Sequence, residues 1–354
     1  MKGEVSLSRG YPSLPFGALI GAANVLLAGC ATHHQSVVDA AGPQAGRIEG
    51  LFWFFTYLLA AIFLIVIVML LGTLLRGHRG IEQEPLEGVH APSTATERKL
   101  HRNVLAATIV TVLILIGLLV SSVSTGKALS SMGARKDGMA VEVIGNQWWW
   151  YARYRSDIAD RTLTTANEIH IPVGRPVMIR GTSNDVIHSF WVPNLNGKID
   201  FIPSRVNTQW IVADRPGRFR GQCAEFCGIQ HAHMALWVIA EPPDQFEAWM
   251  NAQLKPATTP ADPDLLHGQQ VFLNHACVFC HTIAGTTAQG SAGPDLTHIG
   301  SRSTIAAGTL PNTKGNLGGW IVDPQNIKPG NHMATVDLSP NDLQSLLDYL
   351  ESLK

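Results

Sequence analysis

Charge is scarce in this chain. Asp, Glu, Lys and Arg make up 15% of its 354 residues, and 26 basic side chains nearly balance 27 acidic ones, giving a formal net charge of -1. With no basic field, nothing points to a nucleic-acid partner. Two stretches have no charge at all, Leu51–Leu75 (LFWFFTYLLAAIFLIVIVMLLGTLL) and Val104–Val123 (VLAATIVTVLILIGLLVSSV). At about 1.5 Å per helical residue, each can cross a bilayer core of roughly 30 Å. Neither keeps the polar face that a helix at the edge of a soluble core retains. Two spanning helices are expected, and membrane lipid as their surroundings. Arg76, Arg79, Arg98, Lys99 and Arg102 edge the loop between them. That loop is then cytoplasmic, with both termini and everything after about Thr125 on the opposite side.

Cysteine is scarce too, at five residues. Cys30 is the odd one. It ends an apolar stretch, Phe16 to Gly29, which follows Lys2 and Arg9 and closes as LLAGC. A short apolar region behind a positive start reads as a signal peptide over 1–29. LLAG-Cys resembles the lipobox of bacterial lipoproteins, in which the cysteine is lipidated. The remaining chain divides into a membrane hairpin over 30–125, a strand-rich unit over 126–252, a linker over 253–264 and a helical unit over 265–354. In the strand-rich unit, segments such as AVEVIGNQWWWYARY, NEIHIPV, DVIHSFWVP and MALWVIA alternate with turn residues. Their spacing predicts an antiparallel sandwich or barrel of about one hundred residues. Pro256, Pro260 and Pro263 mark the linker as semi-rigid. In the last unit, Ser339-Pro340-Asn341-Asp342 predicts a capped helix start, and Leu343, Leu346, Leu347 and Leu350 fall on one face behind it.

A helical unit that small needs a staple. Cys277-Val-Phe-Cys280-His281 supplies one: CxxCH is the haem c attachment pattern, two thiols for the vinyl groups and a histidine for the iron. No second cysteine pair lies nearby to make a zinc site instead. Lys328-Pro-Gly-Asn-His-Met333 resembles the loop that carries the axial methionine in class I cytochromes c, and Gly293-Pro-Asp-Leu matches the same family. By that likeness Met333 is the second iron ligand, with His332 beside it as the competitor.

The remaining two cysteines fall in Gly221–Met234, GQCAEFCGIQHAHM. On an extended strand Cys223 and Cys227 would be about 13 Å apart, so sharing one centre demands a tight loop or a helical turn. Thiolate, imidazole and thioether together select copper over magnesium, calcium or manganese. One blue copper needs only one cysteine, whereas two thiolates can bridge two copper ions. Each copper then wants a terminal histidine. His231 is in the loop, and His188, in the segment DVIHSFWVP, is the best-placed second.

CxExCxxxHxxM, the upstream DVxHSF and the aromatic run Gln147-Trp-Trp-Trp-Tyr151 together resemble subunit II of haem-copper cytochrome c oxidases, with the attached cytochrome pointing to the caa type. The likeness covers essentially the whole chain after residue 29. It implies a two-helix transmembrane hairpin, an all-β cupredoxin-like sandwich and an all-α class I cytochrome c domain. It also implies a binuclear copper centre (CuA) held by His188, Cys223, Cys227, His231 and Met234, with Glu225 giving its backbone carbonyl. The Glu225 carboxylate is expected on a magnesium ion at the boundary with subunit I. Trp148 matches the residue through which electrons enter, as an exposed aromatic near the copper. Trp149 and Trp150, on alternate faces of the strand, either simply pack or include the entry residue in place of Trp148, and His233 is expected off the metal. Lys198 and Asp200 match a segment near the subunit interface. Where many relatives carry a glutamate at the start of the second span, this chain has Lys99-Leu-His101-Arg102-Asn103, which leaves His101 as a substitute or the inlet different. The implied partners are subunit I, subunit III and a cytochrome c or cytochrome bc complex as donor, at a bacterial plasma membrane. Oxygen chemistry belongs to the partner, because neither apolar run contains a histidine to ligate haem. Two alternatives remain open: the corresponding subunit of a nitric oxide reductase, and a stand-alone membrane electron carrier.

Overall fold

The computed structural model describes residues 35–77, 94–132, 139–155 and 162–354. The expected signal peptide, Cys30 and the middle of the loop between the apolar runs lie outside the described residues. Helix α1 spans Pro43–Gly77 and α2 spans Thr94–Met132. Both are long and apolar enough to cross a membrane, and none of their apolar window is buried by the rest of the chain. Both run beyond the uncharged stretches. At the start of α1 the reason is local, because the chain there is fastened to the sandwich. Ala41 and Ala45 donate backbone hydrogen bonds to Asn194 O (2.7 Å) and Leu195 O (3.2 Å), and Arg215 pairs with Asp39 at 2.8 Å. Gly42 has no room for a side chain, since a Cβ would sit 2.1 Å from Val212 O.

Ten strands follow: β1 Met139–Asn146, β2 Trp149–Tyr154, β3 Leu163–Ala166, β4 Glu168–Pro172, β5 Val177–Ser183, β6 His188–Trp191, β7 Ile199–Phe201, β8 Asn207–Ile211, β9 Gly217–Cys223 and β10 Ala235–Glu241. They form two five-stranded sheets, ordered β3-β2-β1-β5-β8 and β4-β10-β9-β6-β7. Residues such as Val141, Val143, Trp150, Ile169, Ile179, Phe190 and Leu236 fill the space between them. The sandwich is not purely antiparallel, as the strand spacing had suggested. β1 pairs with β5, and β4 with β10, in parallel. The stretch over 140–154 is not one strand either: it turns at Gln147-Trp148, and β1 and β2 form a hairpin pairing Asn146 with Trp149. Helix α3 (Pro243–Gln253) closes this unit, with Phe246 buried.

In the C-terminal unit α4 (Pro263–Asn274) begins inside the segment read as linker. The Asp262 carboxylate accepts from Asp264 N at 2.8 Å and Leu265 N at 3.3 Å, and Pro263 fits the first helical position, where no N–H is needed. α4 crosses α8 (Pro340–Ser352) at Gly268, where a Cβ would meet Ser345 O at 2.0 Å. The start of α8 is capped as its sequence predicts, with Ser339 Oγ accepting from Asp342 N at 3.2 Å. Leu346, Leu347 and Leu350 are buried and Leu343 packs at the edge of the same cluster. Between these helices lie α5 (Cys277–Cys280), α6 (Lys314–Val322) and α7 (Pro324–Ile327).

Candidate redox centres

Strands β6 and β9 converge on one buried point. β6 starts at His188, and β9 ends at Cys223 beside it, with Phe190 paired to Cys223. After Cys223 the chain folds into a loop whose base is closed by Cys223 N donating to Met234 O at 2.9 Å, and whose entrance is tied by Ala224 N to Ser189 O at 2.9 Å. Gly228 makes the turn possible. Its φ of +117° lies in the region that favours glycine, and a Cβ there would meet the Trp148 ring at 2.9 Å. The loop, rather than a helix, is what brings the two cysteines together.

The five donors expected from the sequence are thereby assembled. The Cys223 and Cys227 sulfurs lie 3.7 Å apart, far beyond a bonded disulfide of about 2.05 Å. His188 Nδ1 is 3.7 Å from Cys223 Sγ, His231 Nδ1 is 3.6 Å from Cys227 Sγ, and Met234 Sδ is 3.9 Å from Cys227 Sγ. Glu225 presents its carbonyl to Cys223 Sγ at 3.2 Å. Among the described residues, His188, Cys223 and Cys227 place their ligand atoms within 4.8 Å of one another. Two soft sulfurs at bridging distance, an imidazole on each side and a buried thioether fit a pair of copper ions better than any single hard cation. The shared sulfur–sulfur proton holds the Cys223 thiol well below its ordinary value, with burial opposing and His188 assisting, while Cys227 is pushed up. To hold copper both sulfurs would have to be thiolates, so metal binding would release the proton they share.

Two residues with no role in the sequence reading orient this set. Asp185 Oδ1 sits 2.7 Å from His188 Nε2, and its Oδ2 accepts from Gln147 N at 2.6 Å. The carboxylate therefore fixes which ring nitrogen faces the sulfurs. Burial alone would lower the His188 pKa, but hydrogen bonds to Cys223 and Asp185 outweigh it and the net direction is up. Gln147 Nε2 and Trp148 Nε1 both donate to Cys227 O, at 2.7 and 3.1 Å. An aspartate three residues before a ligand histidine was the available signal for Asp185. Asp185→Ala leaves His188 free to turn, and copper affinity should fall by about tenfold to a hundredfold. Competition titration against a copper chelator checks this, and unchanged affinity would contradict it.

Trp148 departs from expectation. It is buried, only 8% exposed, because the C-terminal unit covers it, and its ring faces His332 at 5.6 Å between centroids. Trp150 is fully buried among His188, Phe190 and Phe201, and Trp149 is half-buried at the strand's other face. His233 bonds Gln230 Oε1 at 2.7 Å and stays out of the metal cluster. The Glu225 carboxylate, where magnesium was expected, is at the surface beside Lys198. Lys198 Nζ lies 3.3 Å from it and 3.5 Å from Asp200, so a positive charge already sits between the two acids.

The second centre lies in the C-terminal unit. One turn of helix carries Cys277 and Cys280, both free, and His281 N closes it onto Cys277 O at 2.9 Å. His281 Nδ1 bonds Pro294 O at 2.7 Å, which leaves Nε2 as the ligand atom. Burial lowers the His281 pKa, favouring the neutral imidazole that iron requires. Gly293 is a cradle for that ring: a Cβ would come within 2.7 Å of it. Of the two candidates for the far side, Met333 packs against the unit's own apolar cluster, whereas His332 turns to Trp148. Thiols, oriented imidazole and thioether beside an apolar core fit a haem attached through CxxCH.

The comparisons match both units of the chain. Residues 156–241 match the family model described as cytochrome C oxidase subunit II, periplasmic domain, and residues 265–354 match that for cytochrome c. A cytochrome c oxidase subunit 2 of Alkalihalophilus pseudofirmus is 41% identical over 60% of this chain and 61% of that protein. The chain thus spans less than two thirds of that relative. The subunit 2 of Bacillus sp. (strain PS3) is 34% identical over 72% of this chain and 75% of its own length. Among solved structures, the periplasmic domain of subunit II of cytochrome oxidase of Bradyrhizobium japonicum is 29% identical over 34% of this chain and 95% of that one, with a TM-score of 0.32. Identity at that level, sustained over 75% of the Bacillus subunit, makes this chain a member of the cytochrome c oxidase subunit 2 family, with a cytochrome c domain at its C-terminal side.

Proposed function

We propose that this chain is the membrane-anchored subunit that feeds electrons to a terminal oxidase, from haem c to the binuclear copper and on to subunit I, where oxygen is reduced to water with proton translocation. The observation that carries the reading is the buried convergence of Cys223, Cys227, His188, His231 and Met234, a donor set suited to two copper ions sharing two thiolates. When bound, such copper and haem groups supply one-electron chemistry, and the protein supplies placement and a dry setting.

The chain's own residues do the placing. Asp185 holds the His188 ring, Gln147 and Trp148 hold the Cys227 carbonyl, and Pro294 holds His281. A fixed ligand frame limits rearrangement between oxidation states. The short connection through Pro256, Pro260 and Pro263 keeps the cytochrome unit at high effective concentration beside the copper unit. In this reading α1 and α2 span the bacterial plasma membrane, and both redox units face its outer side. Phe226, 76% exposed at the tip of the copper loop with its ring 5.8 Å from His231, offers an apolar contact for subunit I. Subunit III and a cytochrome c or cytochrome bc donor complete the proposed assembly.

Ascorbate-driven gas uptake by the complex isolated through this subunit tests the proposal. Cyanide-sensitive oxygen consumption is expected. Consumption of nitric oxide without oxygen would move the chain to a reductase, and uptake of neither gas would leave a bare electron carrier.

A further inference from the structure

Lys328 belongs to the cytochrome unit, in the loop that ends at Met333, yet its side chain leaves that unit. It is 3% exposed, and its ammonium donates to Trp148 O at 3.0 Å and His233 O at 2.9 Å in the copper unit, and to Ala306 O at 3.3 Å in its own. Among the described residues it makes no ion pair. A buried ammonium is costly unless its donors are met, and here three donors meet three backbone carbonyls. Burial pushes its pKa down to about 8.

Neighbouring contacts repeat the same docking. Gln230 Nε2 donates to Pro329 O at 2.8 Å. Gly330, at φ +79°, allows Ile229 to approach so closely that a Cβ would lie 2.2 Å from its Cδ1. Ala235 N donates to Ala307 O at 3.0 Å, and Glu168 accepts from Ser303 N at 2.9 Å. Trp148 is enclosed between Cys227 O on one side and His332 on the other.

We propose that Lys328 is a positioning residue that latches the cytochrome unit onto the copper unit, seating the Met333 loop on Trp148 and closing that tryptophan to outside donors. The carbonyls of Trp148 and His233 flank the copper loop, so the latch recognises that loop's folded backbone rather than any side chain. With it closed, Phe279 of the attachment turn stays 77% exposed. The consequence for electron delivery rests on the function proposed above, but the docking itself does not.

Lys328→Met keeps the length and removes the charge, Lys328→Arg keeps the charge, and Lys314→Ala removes an ion pair to Asp348 within the cytochrome unit as a control. In the detergent-solubilised complex, hydrogen exchange is read over 146–151 and 229–236, together with the rate at which an electron placed on the haem equilibrates with the copper. Lys328→Met should raise exchange in those segments by about tenfold or more, leave α4 and α8 protected, and slow equilibration by about tenfold. Lys328→Arg should recover much of both, and Lys314→Ala should match the unaltered protein. Unchanged exchange in Lys328→Met would overturn the latch. So would a rise throughout the cytochrome unit, which would make Lys328 a folding residue of that unit. Copper or haem missing from the unaltered protein would defeat the proposed function, while the exchange comparison would still decide the latch.

Discussion

Cys227→Ser protein is expected to fold and reach the membrane but to hold no copper pair, with turnover lower by about two orders of magnitude or more. The size of the effect follows from what the sulfur touches. Cys227 Sγ is 3.7 Å from Cys223 Sγ, 3.6 Å from His231 Nδ1 and 3.9 Å from Met234 Sδ, so it is the central donor of the set that would hold the copper. A serine hydroxyl is a poor substitute, being hard and protonated where a soft thiolate is needed. The fold should survive, because the loop is closed by backbone: Cys223 N to Met234 O and His231 N to Gly228 O are untouched. Metal analysis and visible absorption of the purified subunit check this, with far-ultraviolet circular dichroism as the control for folding. A Cys227→Ser subunit that keeps both copper ions would mean the second thiolate is not a bridge.

The second large effect concerns the cytochrome unit. Replacing Cys277 and Cys280 together by alanine removes the covalent anchor, and the unit should then lose its compact state while the copper unit keeps its own. Its apolar cluster is thin. Phe272, Ile283, Ile299, Leu317, Ile321, Leu346, Tyr349 and Leu350 are the bulk of it, and the attachment turn, Met333 and Trp320 pack only at its edge. Domains this small commonly depend on a covalent or metal staple. Haem should disappear from denaturing gels, and protease cleavage near Pro256 to Pro263 should accelerate by about tenfold, since α4 would no longer be held against α8. Full protease resistance in the double variant would contradict the argument.

The features of the fold and site that are legible in the sequence are those fixed by local chemistry. The apolar runs were visible because they are apolar all round. The start of α8 was visible because Ser339, Pro340 and Asp342 each satisfy a specific need of a helix end. The candidate donor set was visible because soft ligands rarely crowd into one loop without a metal. What escaped depends on long-range pairing. Nothing near Val141 or Ile179 announces that β1 and β5 lie parallel, and an unbroken aromatic run gave no hint that the chain turns at Gln147-Trp148. Trp148 was expected at the surface because its cover comes from the other end of the chain, at Lys328 and His332. Lys328 itself sits before Pro329-Gly330, a context that normally means a solvated turn. Only the docked arrangement makes its burial intelligible.

The most direct test of the central claim is metal and haem stoichiometry on the purified, full-length subunit, with thiol accessibility measured on the same sample. Two copper ions and one covalently attached haem per chain are expected, with Cys223 and Cys227 unreactive to alkylating agents until copper is removed. A single copper with one freely alkylated cysteine, or a Cys223–Cys227 disulfide with no copper, would contradict it.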